Sequence, residues 1–281
     1  MQGSTATVVC ATSDAIAVAW LGDSGAVLCR ASPACPPPAP PFDAADEAED
    51  EAADEADGDE SRVPLRAQLL TRRHRPSCPD ETARIVAAGG EVGYMTVTRD
   101  DGAESPVGPA RAYAPHPSSG LGADSAPDEG DEGSSREAGV RAEISRAGSA
   151  AHRSDRIGGL AVSRAMGNLR LRPVVSGTPE AAAVERTGDE AFVIVATDGV
   201  LDSLAPDLAC EIAHDVLEGW RFRSGAFGRP VAAAGPGDEP GRHGSAGPAG
   251  EAAAAAARAL VAEALKRGSQ DNASAAVLLL R

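Results

Sequence analysis

Phe192-Val193-Ile194-Val195-Ala196-Thr197-Asp198-Gly199-Val200-Leu201-Asp202 decides how this chain reads. Five apolar residues in a row describe a buried strand. The strand ends in Asp-Gly, which aims a carboxylate off the rim of a sheet. Its glycine lets the backbone turn and approach a ligand closely. A second acid of this kind is Asp271, in Arg267-Gly268-Ser269-Gln270-Asp271-Asn272, between a helical stretch and the last strand. Two carboxylates on rigid supports suit a hard cation, Mg2+ or Mn2+.

Working outward, Ala205-Pro206-Asp207 opens a helix through Leu208, Ile212 and Val216, with proline placed in the first turn. A further helix over 251–267 is stopped by Gly268, and a strand over 273–280 follows. Toward the amino end, Thr7-Val8-Val9-Cys10, Ile16-Ala17-Val18-Ala19-Trp20 and Ala26-Val27-Leu28-Cys29 read as strands. The turns at Ser13-Asp14 and Gly22-Asp23-Ser24-Gly25 suit an antiparallel meander. Pro79-Asp80-Glu81 opens a helix over 82–88, closed by Gly89-Gly90.

Low-complexity insertions at about 31–62, 99–154 and 221–250 separate these segments. The foldable parts suffice for one domain, because long surface insertions cost little loop entropy. Strands alternating with helices, together with a meander, favour an α+β fold or a layered sandwich.

The formal net charge of −16 is dominated by 43–60, which holds eleven acids and no base. Without that run the surface charge is ordinary, and clustered Lys and Arg for a phosphate backbone are lacking, so nucleic acid is excluded as an expected partner. No apolar run reaches the roughly 18 residues of a membrane span, so no membrane partner is expected. Aromatic residues make up only 3% of the chain, so its core is aliphatic and rich in small side chains. The five cysteines show no C-x-x-C spacing. They read as small hydrophobes in a reducing compartment, cytoplasmic and/or nuclear. The five histidines lack metal-ligand spacing.

Six blocks occur in an order that resembles the metal-dependent Ser/Thr protein phosphatases of type 2C, the PPM family. They are Gly3-Ser4-Thr5-Ala6, Gly22-Asp23-Ser24, Ala83-Arg84-Ile85…Ala88-Gly89-Gly90, Leu160-Ala161-Val162-Ser163-Arg164-Ala165-Met166-Gly167, Ala196-Thr197-Asp198-Gly199 and Gly268-Ser269-Gln270-Asp271-Asn272. The spacing around Cys210-Glu211-Ile212-Ala213 and Trp220 is most similar to the plant branch.

The resemblance implies part of a four-layer α-β-β-α sandwich, two antiparallel sheets flanked by helices. It implies hydrolysis of phosphoserine and phosphothreonine proteins by a hydroxide held between Mg2+ or Mn2+ ions. Position by position, Asp198 and Asp271 match ligands of one metal, while Asp23 and Asp202 match acids of a weaker third ion. Gly199 and Asn272 support these acids, and Ser163-Arg164 matches a fold-supporting pair. A regulatory protein partner is a further implication.

The chain also departs from the pattern. Neither the family's Arg-x-x-x-Glu-Asp segment nor its Asp-Gly-His-Gly-Gly segment occurs in the 281 residues. Residues 1–281 are therefore expected to be a partial domain, lacking amino-terminal strands and helices and leaving apolar sheet surface and strand edges uncovered. Asn168 stands where the family usually has Asp, and Arg73 replaces the Asp commonly found before His74. Met95 occupies about the place of a tryptophan in the abscisic-acid-regulated plant members, which argues against that receptor partnership. Two functions follow as expectations: a phosphatase that is weak or inactive as this chain, or a non-catalytic phosphatase-like binding and regulatory protein.

Overall fold

A computed structural model describes residues 2–30, 65–98, 104–115, 156–224 and 247–280. The strand expected at the opening stretch is β11 (Glu190–Ala196), and almost every residue in it is buried. It lies between β12 (Ala275–Leu279) and β4 (Gly25–Arg30), and β5 (Arg66–Leu69) completes this four-stranded antiparallel sheet. A second sheet has the order β10 (Glu180–Glu185), β3 (Ala15–Leu21) and β2 (Ala6–Ala11).

Alternation along β11 and β4 explains why β4 is buried throughout and β11 at all but two positions. Val193, with Ala26 and Leu28, faces Ile16, Val18 and Trp20 of the second sheet. Phe192, Ile194 and Ala196, with Val27 and Cys29, face the opposite way onto helices. Successive side chains of a strand point to opposite faces, so a strand covered on both sides reads as a continuous apolar run.

Those helices are α3 (Pro206–Ser224) and α4 (Pro248–Lys266), preceded by the single turn α2 (Asp198–Leu201). Ala209, Ala213 and Leu217 of α3 meet Ala256, Leu260 and Ala264 of α4 in one cluster under the sheet. The small side chains let the helices lie close, which is how an aromatic-poor chain fills a core. The described layers are thus sheet, sheet and helix, as expected of an α+β sandwich.

A smaller unit holds α1 (Pro79–Ala87), β6 (Glu91–Thr98), β7 (Glu104–Pro115) and β8 (Arg156–Leu160). Its core gathers Ile85, Val92, Ala112, Leu171 and Val174. The short strands β1 (Gly3–Ser4) and β9 (Met166–Gly167) pair beside it.

Four expectations are corrected. First, the amino-terminal strands do not form one meander: β2 pairs with β3, but β4 pairs with β11 in the other sheet. The turn at Gly22-Asp23-Ser24 carries the chain across the sandwich. Gly22 adopts φ +105° there, and a Cβ would meet Thr5 Cγ2 at 2.3 Å, so only glycine fits.

Second, the insertion placed at about 99–154 contains a strand, because β7 pairs with β6 from Glu91↔Tyr113 to Thr98↔Glu104. Ala110, Ala112, Tyr113 and Ala114 are buried, in a stretch whose Gly and Pro argue against a strand. The rest of that insertion and all of 31–62 lie outside the described residues.

Third, the linker placed at 221–250 is narrower. Helix α3 runs on to Ser224 and α4 starts at Pro248, a residue suited to the first helical turn. Fourth, Cys29 and Cys210 are not plain hydrophobes: they form a disulfide between β4 and α3, with Cα atoms 5.6 Å apart. They are 181 residues apart in sequence, so no local spacing could reveal the pair.

Candidate functional site

Asp23 sits in the crossing turn, and three contacts hold that turn in place. His74 Nδ1 accepts a hydrogen bond from the Gly22 amide at 3.0 Å, and the His74 amide donates to the Gly22 carbonyl at 3.0 Å. Thr7 Oγ1 donates to the Ser24 carbonyl at 3.0 Å. Burial drives the His74 pKa down to about 4. The ring is therefore neutral and able to accept at Nδ1, with its proton on Nε2. It stacks on Trp20, with ring centroids 6.0 Å apart.

The second support is the end of β11. Thr197 caps α2 in an extended conformation, and Asp198 opens the helix with Oδ1 accepting from the Gly199 amide at 2.9 Å. The segment leading into β12 lies against it: Thr197 Oγ1 donates to the Asn272 carbonyl at 3.1 Å and accepts from the Ser274 amide at 3.0 Å. Ser269 Oγ donates to the Gly199 carbonyl at 2.6 Å. A Cβ on Gly199 would lie 2.8 Å from the Asn272 carbonyl oxygen. This glycine thus serves a close backbone approach.

Asp271 is exposed and accepts from its neighbour's amide, Asn272 N, at 2.7 Å. Its loop is docked on that of Asp198. Asn272 acts here through its backbone.

Asp23, Asp198 and Asp202 face one another across this rim. Burial, and then the charge of Asp198, push the Asp23 carboxyl up to about 6; Arg75 opposes this and Asp202 adds to it. Asp202, at the end of α2, is not open to a ligand on all sides. Arg73 Nη1 bonds Asp202 Oδ1, and Arg73 Nη2 donates to the Leu201 carbonyl at 3.1 Å. Arg75 Nη2 donates to both Asp202 oxygens, at 2.9 and 2.7 Å, and Arg75 Nε is 4.0 Å from Asp23 Oδ2.

Among the described residues no group of three or more His, Cys, Asp or Glu side chains is placed to hold a metal ion. With Asp202 spanned by two guanidiniums, the acids in this arrangement do not fit a Mg2+ or Mn2+ ion, which demands several oxygens around one point.

Ser163 and Arg164 stand away from the acids, in a buried charge network. Ser163 is fully buried, and its amide donates to the His74 carbonyl at 2.9 Å. Arg164 Nε donates to Glu81 Oε1 at 2.8 Å, Arg164 Nη2 lies 2.8 Å from Glu180 Oε1, and Arg84 Nη2 donates to Glu81 Oε2 at 2.8 Å. Burial alone would raise the Glu81 pKa, but these guanidiniums overcome it and hold the carboxyl down at about 2. Arg72 joins through Glu180, with Nε at 2.8 Å from Oε2. This network braces the segment that carries Arg73, His74 and Arg75.

Asn168 takes the left-handed conformation at φ 48° and ψ 40°, which asparagine tolerates better than most residues. Arg75 and Glu180 have no sequence signal of their own, and Glu81 reads only as a helix-opening acid. The basic run Arg72-Arg73-His74-Arg75 is the available signal, though it does not say which acids lie opposite.

The family profile described as protein phosphatase 2C matches residues 1–103 and 141–273. The chain is 33% identical to "Protein phosphatase 2C 56" of Arabidopsis thaliana, over 99% of this chain and 42% of that protein. It is 28% identical to "Probable protein phosphatase 2C 37" of Oryza sativa subsp. japonica, over 99% of this chain and 49% of that one. Against "Probable protein phosphatase 2C 8" of the same rice, 35% identity covers 44% of this chain and 26% of the relative. The chain thus spans about a quarter to a half of the curated relatives it matches. Among solved structures, the serine-threonine phosphatase 2C from Toxoplasma gondii shares the fold, with a TM-score of 0.52 and 20% identity over 99% of this chain and 58% of that one.

Proposed function

The chain belongs to the protein phosphatase 2C family, and on that premise we propose that Asp198, Asp271, Asp23 and Asp202 descend from its metal-binding carboxylates. Phosphoserine and phosphothreonine proteins are the substrate class of the whole enzyme, with Mg2+ or Mn2+ as cofactor. These 281 residues by themselves hydrolyse such substrates weakly or not at all. The observation that carries this reading is the state of the acid rim. Three carboxylates converge there, yet one of them is already bonded by Arg73 and Arg75. Asp202 must give up three charge-assisted hydrogen bonds from two guanidiniums before it can ligate freely.

Hydrolysis of a phosphothreonine peptide by the 281-residue protein, with and without Mn2+, tests the reading. Wild type and Asp198→Asn are expected to match a protein-free blank within about tenfold, the scale of one weak residual contribution. Mn2+-dependent turnover in wild type that disappears in Asp198→Asn would overturn the claim of weak activity. A second reading, a phosphatase-like protein that binds a regulatory partner without turnover, is favoured by the same guanidinium contacts on Asp202.

A further inference from the structure

The acid rim carries cations of its own. Asp23 lies close enough to Asp198 and Asp202 to feel the charge of both, and such a cluster of acids calls for counter-charge. The segment after β5 supplies it from two sides of His74. Arg73 is fixed at two points, the Asp202 carboxylate and the Leu201 carbonyl. Arg75 spans both oxygens of Asp202 while its Nε faces Asp23.

Neither arginine is a loosely waving surface group: their side chains are 23% and 25% exposed, and the intervening His74 is completely buried. His74 also binds the Gly22 backbone through both its ring and its amide. The arginines are therefore delivered to the rim by the same fold contact that positions Asp23.

We propose that Arg73 and Arg75 act in this chain as the built-in counter-ion of the acid rim, holding Asp202 and Asp23 for guanidinium in place of a divalent cation. The identity of the displaced cation rests on the family reading; the competition itself rests on the contacts. Guanidinium offers no oxygen and no lone pair, so it contributes charge but cannot ligate a metal. A Mg2+ or Mn2+ ion entering beside it meets a fixed positive charge and a carboxylate both of whose oxygens already accept from guanidinium. Arg73, which bonds both the Asp202 carboxylate and the Leu201 carbonyl, is the residue that decides which cation the rim accepts.

Mn2+ binding to the full 281-residue protein, followed by electron paramagnetic resonance of the free ion, tests this. Wild type is expected to show no saturable binding that depends on Asp202. Arg73→Asp, which reverses the charge, is expected to bind Mn2+ about tenfold tighter or more, the scale of unit-charge effects at 4 Å in a partly wet site. Adding Asp202→Asn to that variant removes the gain.

Arg73→Ala, which leaves Arg75 on Asp202, supplies the comparison if Arg73→Asp does not give a cooperative melt. Saturable wild-type binding that is lost in Asp202→Asn overturns the proposal. So does a folded Arg73 variant that gains nothing. Phosphopeptide turnover is read separately on the same samples. Turnover by wild type refutes the weak-activity reading, whereas the Mn2+ titration alone decides the counter-ion role.

Discussion

Gly199→Ala puts a methyl group where two functional loops touch. Its Cβ would stand 2.8 Å from the Asn272 carbonyl oxygen, 3.1 Å from the Asn272 carbonyl carbon and 3.4 Å from Ala273 Cα. All three are backbone atoms, so no side-chain rotation relieves the overlap. Restoring ordinary contact at 3.4 Å requires the loops to part by about 0.6 Å. Overpacking of this kind costs roughly 1–3 kcal/mol, and a backbone obstacle places it near the upper end.

Two hydrogen bonds cross the same seam, from Ser269 Oγ to Gly199 O at 2.6 Å and from Thr197 Oγ1 to Asn272 O at 3.1 Å, and both lengthen with the displacement. Against this, alanine in a helical position gains about 1 kcal/mol over glycine. The net loss is then roughly 2 kcal/mol, or about 4–8 °C in melting temperature for a protein of this size. Thermal unfolding followed by circular dichroism reads it. Gly247→Ala, where nothing lies within 4 Å of the added Cβ, is the control. An unchanged or raised melting temperature in Gly199→Ala refutes the close-approach argument.

Two other perturbations probe the rim and the core. The Asp23 pKa is raised from 3.8 to about 6 in the folded chain, so the stability this group contributes is fully present below pH 3.8 and is lost as pH rises through about 6. In Asp23→Asn that pH-linked loss is absent, so its melting temperature relative to wild type climbs between pH 4 and about 6. A difference that stays flat across the window counts against the burial and charge crowding assigned to Asp23. Reduction of the Cys29–Cys210 disulfide releases a loop spanning 181 residues, and chain entropy alone predicts destabilisation of up to about 5 kcal/mol. Denaturant melts with and without reductant measure this, and coincident midpoints contradict a disulfide that ties β4 to α3.

Most of the sheet-and-helix framework was legible because its signals are local. The apolar run 192–196, the Asp-Gly that ends it, and Pro206 near the start of α3 each follow from a few adjacent residues. The site was legible in part. Asp198 and Asp23 stand out in the sequence as acids beside turns, but their mutual approach depends on Gly22 sending β4 into the other sheet. Strand β7 was missed because its Gly and Pro read as loop, and pairing with β6 overrides composition. Arg75 was passed over because a basic residue near a turn is ordinary until its partner is known.

The stretch from Phe192 to Asp202 by itself determined a buried strand, a sharp exit and an acid at the rim, because periodicity and turn chemistry act within one or two turns of chain. Tertiary structure alone decided what that acid rim meets. Arg73 reaches Asp202 across a separation of 129 residues, Arg75 across 127, and Cys29 reaches Cys210 across 181. Such contacts are set by how the two sheets stack and where the crossing turn delivers its neighbours. Charge complementarity then operates only at the few ångströms that packing allows.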